Sequence, residues 1–315
     1  MPSLLLTGGA GFIGSALTRT LLGRGWRVRV LDRLGIGGRR EHLQGLDCEL
    51  IVGDVCDPSA VKGAIQGCEA LLHLAAESHV ERSLLDPGGF LRTNVEGTRV
   101  VLDAASQAGL QRVLVMSTDE VLGQQPDGAL PGPEAPLRPG NPYAASKAGA
   151  EALVHAWRHS FGLPAAIARC VNCFGPRQHP EKAVPWWTRE ALLDRPVPVQ
   201  GQGEAERDWL PVEDLARGLA LAIEAEPGPW TWHFAAHRQR SNRQMAEEVA
   251  AACQARTGLP TRFARLPERQ GQDRRYALDD AETRARLCWR PELSHEEGVR
   301  RAVAWVADEG LALWS

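Results

Sequence analysis

Two short stretches of the 315-residue chain hold residue types able to do acid, base and redox work. In STDEVLG, Ser117 to Gly123, Thr118 is followed by two adjacent carboxyl groups, Asp119 and Glu120. Neighbouring carboxyls in different surroundings titrate apart, so one can serve as a general acid while the other serves as a base. In NPYAASKAGAE, Tyr143 and Lys147 lie four residues apart on one face of a helix that begins at Pro142. The Lys147 ammonium is expected to stabilise a phenolate, lower the Tyr143 pKa and let the phenol take a hydroxyl proton near neutral pH. That is the chemistry of alcohol oxidation coupled to hydride transfer.

A hydride needs an acceptor, and the N-terminus carries the signature of one. TGGAGFIGS follows the first apolar run and places Gly8, Gly11 and Gly14 at intervals of three before a helical pattern. Glycines at this spacing allow a tight strand-to-helix turn and let backbone amides and the helix N-terminus approach a pyrophosphate. Asp32 ends the second apolar run eighteen residues after Gly14, where a carboxylate binds a ribose 2′-hydroxyl and repels a 2′-phosphate. NAD is therefore expected rather than NADP, although Arg33 beside Asp32 leaves the alternative open. Asp54, in VGDVCD after the third run, is placed to meet the adenine.

These residues need strands and helices to bring them together. Short apolar runs at Leu4–Leu6, Arg27–Leu31, Glu49–Val52, Ala70–Leu74, Val113–Met116 and Ala165–Arg169 alternate with helical patterns, notably Phe90–Ala108 and Tyr143–Ser160. Alternation of this kind predicts an α/β fold, a Rossmann-type doubly wound parallel sheet. The Pro- and Gly-containing segment Gln124–Asn141 reads as a surface loop leading into the Tyr143 helix. After about Gly175 the pattern loosens into Pro, Trp and Arg-rich stretches with shorter helices such as Met245–Ala255. The expected division is an NAD-binding domain over 1–162, to whose sheet later strands may return, and a smaller C-terminal α/β substrate domain over 163–315.

With 43% hydrophobic residues, a net charge of -3 and a pI near 6.3, the chain has no global basic field, which argues against nucleic acid as a partner. Its apolar runs are too short to span a bilayer, so no membrane partner is expected and a cytoplasmic location is. Seven scattered cysteines fit reduced thiols; Cys170 and Cys173 form a C-x-x-C, but no second pair or histidine cluster completes a metal site, and no metal is expected. His73, at the end of an apolar run, reads as structural. Trp186 and Trp187 read as packing or as a cover for a sugar or base.

Taken together, TGGAGFIGS, HLAAESHVERS, TNVEGT, STDEV, NPYAASK, GPRQHPEK, ERDWLPVEDLARGL and DRRYALD resemble the extended short-chain dehydrogenase/reductase family over nearly the whole chain. Within it they are most similar to nucleotide-sugar 4,6-dehydratases, above all those acting on dTDP-glucose; the Thr118-Asp119-Glu120 triplet is the specific part. The resemblance implies oxidation of an NDP-hexose at C4, loss of water across C5 and C6, and hydride return to C6. Thr118 would hydrogen-bond the C4 oxygen, Glu120 would be the C5 base and Asp119 the acid at C6. It also implies cofactor contacts from Phe12, Ile13, Val55, Leu74, Ala75, Ala76 and Thr93. Substrate contacts would come from Ser78, Asn172, Lys182, Pro198, Arg207 and Asn242. A homodimer built on the Phe90–Ala108 and Tyr143–Ser160 helices is implied as well. The rivals are a 5,6-dehydratase, 4-epimerase or decarboxylase of the same superfamily, or a nucleotide-sugar-binding protein without turnover. Gly35, Leu122, Cys173, Gln270 and Gln272 depart from the family pattern.

Overall fold

The computed structural model describes residues 1–226, 230–268 and 271–314. Seven strands form one parallel sheet: β1 (Ser3–Thr7), β2 (Arg27–Asp32), β3 (Glu49–Val52), β4 (Ala70–His73), β5 (Arg112–Thr118), β6 (Ala165–Cys170) and a later strand, Thr231–Phe234. Between the last two come β7 (Asn172–Phe174), β8 (Val197–Gln200) and β9 (Glu206–Pro211), so that later strand is β10; β11 (Gln239–Ser241) and β12 (Phe263–Leu266) follow. The spatial order β10-β6-β5-β4-β1-β2-β3 reverses direction beside β1, the crevice at which doubly wound sheets bind dinucleotides. Both β6 and β10 lie beyond residue 162, so the sheet draws on both halves of the chain.

Near-continuous apolar strands explain the layering, since a parallel sheet is covered by helices on both faces. In β1, Leu4 and Leu6 point into one core with Leu17, Leu21, Leu215 and Leu219, whereas Leu5 points into the other with Val61, Val101 and Val154. A third core, with Phe174, Trp187, Trp209, Met245 and Val299, lies in the C-terminal part. There β7, β9 and β11 form a three-stranded sheet and β8 pairs with β12. Trp187 is packing: it is 4% exposed and its Nε1 donates to the Pro198 carbonyl at 2.7 Å.

The expected Phe90–Ala108 helix is present but interrupted. Pro87–Leu91 and Gly97–Gln107 are α-helical, and Arg92–Glu96 between them is a π turn. The Thr98 hydroxyl donates to the Asn94 carbonyl at 2.6 Å, and the Asn94 side chain crosses out of the helix. It donates to the Glu77 carbonyl and to Ser146 Oγ and accepts from the Glu77 amide. One buried asparagine thus ties the segment after β4 to the Tyr143 helix, and π turns commonly mark such functional positions.

Candidate active site

The glycine turn, Asp32 and the Thr118-Asp119-Glu120 triplet lie at the carboxyl ends of the sheet strands or just after them, and Tyr143 and Lys147 come from the helix Pro142–Phe161. Gly8 follows β1 at φ 73°, a left-handed conformation, and a Cβ there would sit 2.7 Å from the Ala75 amide nitrogen. A Cβ on Gly14 would lie 2.1 Å from the Gly8 carbonyl oxygen, so the helix Phe12–Gly23 can start this close to β1 only with glycine. No side chain caps that helix, which leaves its N-terminal amides for an anion. Asp32 ends β2 and accepts from the Ala10 and Leu34 amides at 3.0 and 2.8 Å. Arg33 is engaged by two carboxylates, Asp54 at 3.6 Å and Glu77.

A cavity of about 330 Å³ runs from Asp32, Arg33, Asp54 and Val55 past Gly8, Gly11, Phe12, Ile13 and Gly14. It continues along Leu74, Ala75, Ala76 and Thr93 to Thr118, Asp119, Glu120, Tyr143 and Lys147. A second cavity of about 460 Å³ is lined by Ser78, Asn172, Lys182, Pro198, Arg207 and Asn242, with Trp186, Gln272 and Tyr276. Both cavities reach Ser78, Glu120, Asn172 and Lys182, so they meet at Glu120, with Asp119 on the side of the first. Lys182 Nζ donates to the Ser78 carbonyl at 2.6 Å. The buried Arg207 donates to the Asp273, Arg274 and Glu206 carbonyls and lies 4.5 Å over the Tyr276 ring. The DRRYALD segment therefore anchors Arg207 at the edge of the second cavity.

Strand β5 ends in Thr118, whose side chain accepts from the Glu120 amide at 3.3 Å and caps a single turn, Asp119–Leu122. The turn closes at Gly123, φ 68°, where a Cβ would meet the Arg138 carbonyl oxygen at 2.2 Å. Asp119 is 3% exposed; Oδ1 receives the Thr118 hydroxyl at 3.1 Å and Oδ2 has no hydrogen-bond partner. Burial pushes its pKa up to about 8, helped by the Glu120 charge and opposed by Arg207. The surroundings of Asp119 thus favour its protonated form. A carboxyl that merely closed a strand end would have both oxygens satisfied. Glu120 is half-buried, and its Oε2 accepts from Asn141 Nδ2 at 3.0 Å.

Tyr143 and Lys147 share a face of the helix Pro142–Phe161. Burial lowers the Lys147 pKa to about 8, with Glu151 opposing, so the ammonium predominates at pH 7. The Tyr143 phenol is displaced in the direction opposite to that expected from Lys147: burial first and Glu120 second push it well above its ordinary value, and only the Thr118 hydroxyl pulls it back. Desolvation and a facing carboxylate set the direction, and Lys147, one helical turn away, is not among the groups that shift it.

Other groups near the site are structural. Thr98 spends its proton on the Asn94 carbonyl, so at 3.1 Å it accepts from His73 Nε2, and Nδ1 is left to accept from Thr7 at 2.7 Å. Burial drops the His73 pKa to about 3, so the ring stays neutral. Glu151 and Arg169 form a buried bidentate pair at 2.9 and 2.7 Å that joins the Tyr143 helix to β6. The Cys170 and Cys173 thiols are pushed up by burial and do not pair. Among the departures from pattern, Gly35 and Cys173 line the first cavity, Gln272 the second, Leu122 is in the core, and Gln270 lies outside the described residues. Asn94, Asn141, Glu151 and Gln178 were not read from the sequence as site residues. For Asn141 a signal existed, an asparagine before the proline that opens a helix.

Residues 4–233 match the model of the NAD dependent epimerase/dehydratase family. The chain belongs to that family. It is 36% identical to a dTDP-glucose 4,6-dehydratase of Streptomyces niveus, over 97% of this chain and 93% of the relative. Its fold superposes on the dTDP-glucose 4,6-dehydratase DesIV of Streptomyces venezuelae, solved with NAD bound, with a TM-score of 0.91 at 35% identity, covering 98% of this chain and 97% of that one. It superposes nearly as well, TM-score 0.90 at 30% identity over 98% and 99% of the chains, on the UDP-glucose 4-epimerase of Thermus thermophilus in complex with NAD. Backbone shape alone therefore does not select between dehydration and epimerisation, and the carboxyl pair must.

The raised pKa of Asp119 has a cost in stability at higher pH. Its pKa is above the ordinary 3.8, so stability is full below that value and is lost as pH rises toward about 8. Asp119→Asn should raise Tm at pH 7 or above and leave it unchanged below pH 3.8. A thermal melt at the two ends of this range checks the sign, and equal melting at high pH would contradict a neutral buried Asp119.

Proposed function

We propose that the chain is an NDP-hexose 4,6-dehydratase, with dTDP-glucose its first candidate substrate, releasing an NDP-4-keto-6-deoxyhexose. The observation that carries this reading is a buried Asp119, one carboxyl oxygen without a hydrogen-bond partner, beside a half-buried Glu120 that lines both cavities. Epimerisation at C4 has no use for such a pair. The glycine turn that a Cβ would fill, the uncapped helix and Asp32 fit NAD in the first cavity. Bound NAD supplies a hydride acceptor for C4, a cationic ring that favours a phenolate at Tyr143, and the hydride that returns to C6.

The residues then divide the proton traffic. Tyr143 receives the C4 hydroxyl proton as the C4 hydride departs, with Thr118 hydrogen-bonded to the C4 oxygen and the Lys147 ammonium favouring the phenolate. The new ketone acidifies C5, and Glu120 takes that proton. The C5–H electron pair becomes the C5–C6 double bond while the C6–O bond breaks, and the leaving oxygen takes the Asp119 proton to depart as water. Glu120 returns its proton to C5 as hydride reaches C6. The proton gained by Tyr143 balances the one lost by Asp119, so the cycle consumes neither acid nor cofactor.

The C-terminal part, with β7, β8, β9, β11 and β12, supplies the nucleotide end: Arg207 and Lys182 carry positive charge for a pyrophosphate, and Asn172, Asn242, Pro198 and Ser78 line the way to it. We place the enzyme in the cytoplasm, in keeping with its seven unpaired thiols. Among the described residues no helix is long and apolar enough to cross a membrane. A homodimer is supported by exposed Leu85 and Leu91, 86% and 52% accessible, beside the Tyr143 helix. Light scattering should give twice the chain mass, and a single-chain mass would exclude the dimer.

Incubation with dTDP-, UDP-, GDP- and CDP-glucose should give loss of water from one of them by product mass. Unchanged mass with inversion at C4 would make the protein an epimerase. Glu120→Gln should abolish solvent-deuterium incorporation at C5 while C4 oxidation persists; incorporation at the wild-type rate would remove Glu120 from its role.

A further inference from the structure

We propose that Asn141 is a positioning residue that holds the Glu120 carboxylate at C5 in register with Tyr143, through the same side chain that caps the catalytic helix. This rests on Glu120 being the C5 base. Asn141 is 6% exposed, extended at φ −147°, and immediately precedes the helix Pro142–Phe161. Its Oδ1 accepts from the Ala144 amide at 2.9 Å, the ordinary duty of an N-cap. That bond settles the direction of the amide, because the end facing Glu120 must then be Nδ2, which donates to Oε2 at 3.0 Å. Among the described residues Oε1 makes no hydrogen bond and is left for the C5 proton.

The other groups that face Glu120 cannot do this. Asp119 adjoins it in the chain, Tyr143 and Tyr276 lie close enough to feel its charge, and the Thr118 hydroxyl is bonded to its backbone amide. Arg207, close enough to Asp119 and Tyr276 to act on their charge, donates to three backbone carbonyls. A glutamate has three rotatable side-chain bonds and loses much freedom when fixed, so a rigid donor is needed to keep it aimed. C4 and C5 are bonded atoms, so phenol and carboxylate must be set relative to each other within a fraction of an ångström to an ångström or so. Asn141, two residues before Tyr143 and bonded to Glu120, makes that link with one side chain.

Capping and positioning are separable by substitution. Asn141→Ser keeps a capping hydroxyl but is too short to reach Glu120, Asn141→Asp keeps the cap while turning an acceptor toward the carboxylate, and Asn141→Ala loses both. With the NAD-loaded enzyme and dTDP-glucose, we measure Tm, the absorbance of reduced nicotinamide, and deuterium entry at C5. Asn141→Ser should melt near wild type, keep its C4 oxidation rate and KM, accumulate reduced nicotinamide, and lose about tenfold in C5 exchange and kcat, the scale of one hydrogen bond to a charged group. Asn141→Asp should lose more exchange at unchanged Tm, and Asn141→Ala should add a fall in Tm. Wild-type exchange in both Asn141→Ser and Asn141→Asp, or equal loss of oxidation and exchange, would reduce Asn141 to a cap and overturn the inference. Glu120→Gln run in parallel separates the two claims: if it abolishes exchange while the Asn141 variants do not, only the inference fails, and if it retains exchange, the base assignment fails and takes the inference with it.

Discussion

A carboxyl group buried with one oxygen unpartnered persists in a protein interior only by keeping its proton, and the chemistry of this site depends on that constraint at Asp119. The carboxyl next to it in the chain is half-buried and receives a side-chain amide. Two carboxyls adjacent in the chain thereby stand in different surroundings, and the proposed mechanism gives them opposite duties on that ground. Everything that fixes those surroundings serves the function: the end of β5, the Thr118 cap on the turn, the glycine at 123 that no other residue can replace without meeting Arg138, and the loop that carries Arg138 back over the turn.

The parallel sheet supplies the convergence. Its strands end at one edge, so turns after β1, β2, β4, β5 and β6 deliver the glycine turn, Asp32, the Leu74–Ala76 segment, the carboxyl pair and Asn172 to one crevice. Rigidity comes from buried polar links between elements: Asn94 between the β4 loop and Ser146, Glu151 with Arg169 between the catalytic helix and β6, and His73 between two threonines. Each is fully buried and each satisfies its partners, the condition under which buried polar groups order a structure instead of weakening it.

What could be read in the sequence was what depends on local spacing. The glycine triplet, the aspartate that ends β2, the Tyr143–Lys147 interval and the carboxyl pair each require fixed offsets along the chain, and β1 and β5 beside them run over buried, mainly apolar residues. What could not be read depends on meetings across the fold. The π turn at Arg92–Glu96 leaves no mark on hydrophobic periodicity, and the Asn141 contact joins residues 21 positions apart. The shift of Tyr143 was expected in the wrong direction because the helix pattern shows Lys147 and hides both the depth of the pocket and the facing Glu120. The C-terminal half was legible only in outline, since β10 joins the large sheet from residue 231 onward with a short run that resembles its neighbours.

The central claim is an internal redox cycle in which hydride leaves C4 and returns to C6 of the same sugar while water is lost. The direct measurement is to convert a mixture of dTDP-glucose deuterated at C4 and undeuterated dTDP-glucose carrying a ¹³C label, and to read each product by mass spectrometry and NMR. The account predicts that deuterium appears at C6 of the molecules that began with it at C4, with no crossover into the ¹³C-labelled product and with water lost from both. Deuterium retained at C4, or lost to solvent or to the other population, would contradict it.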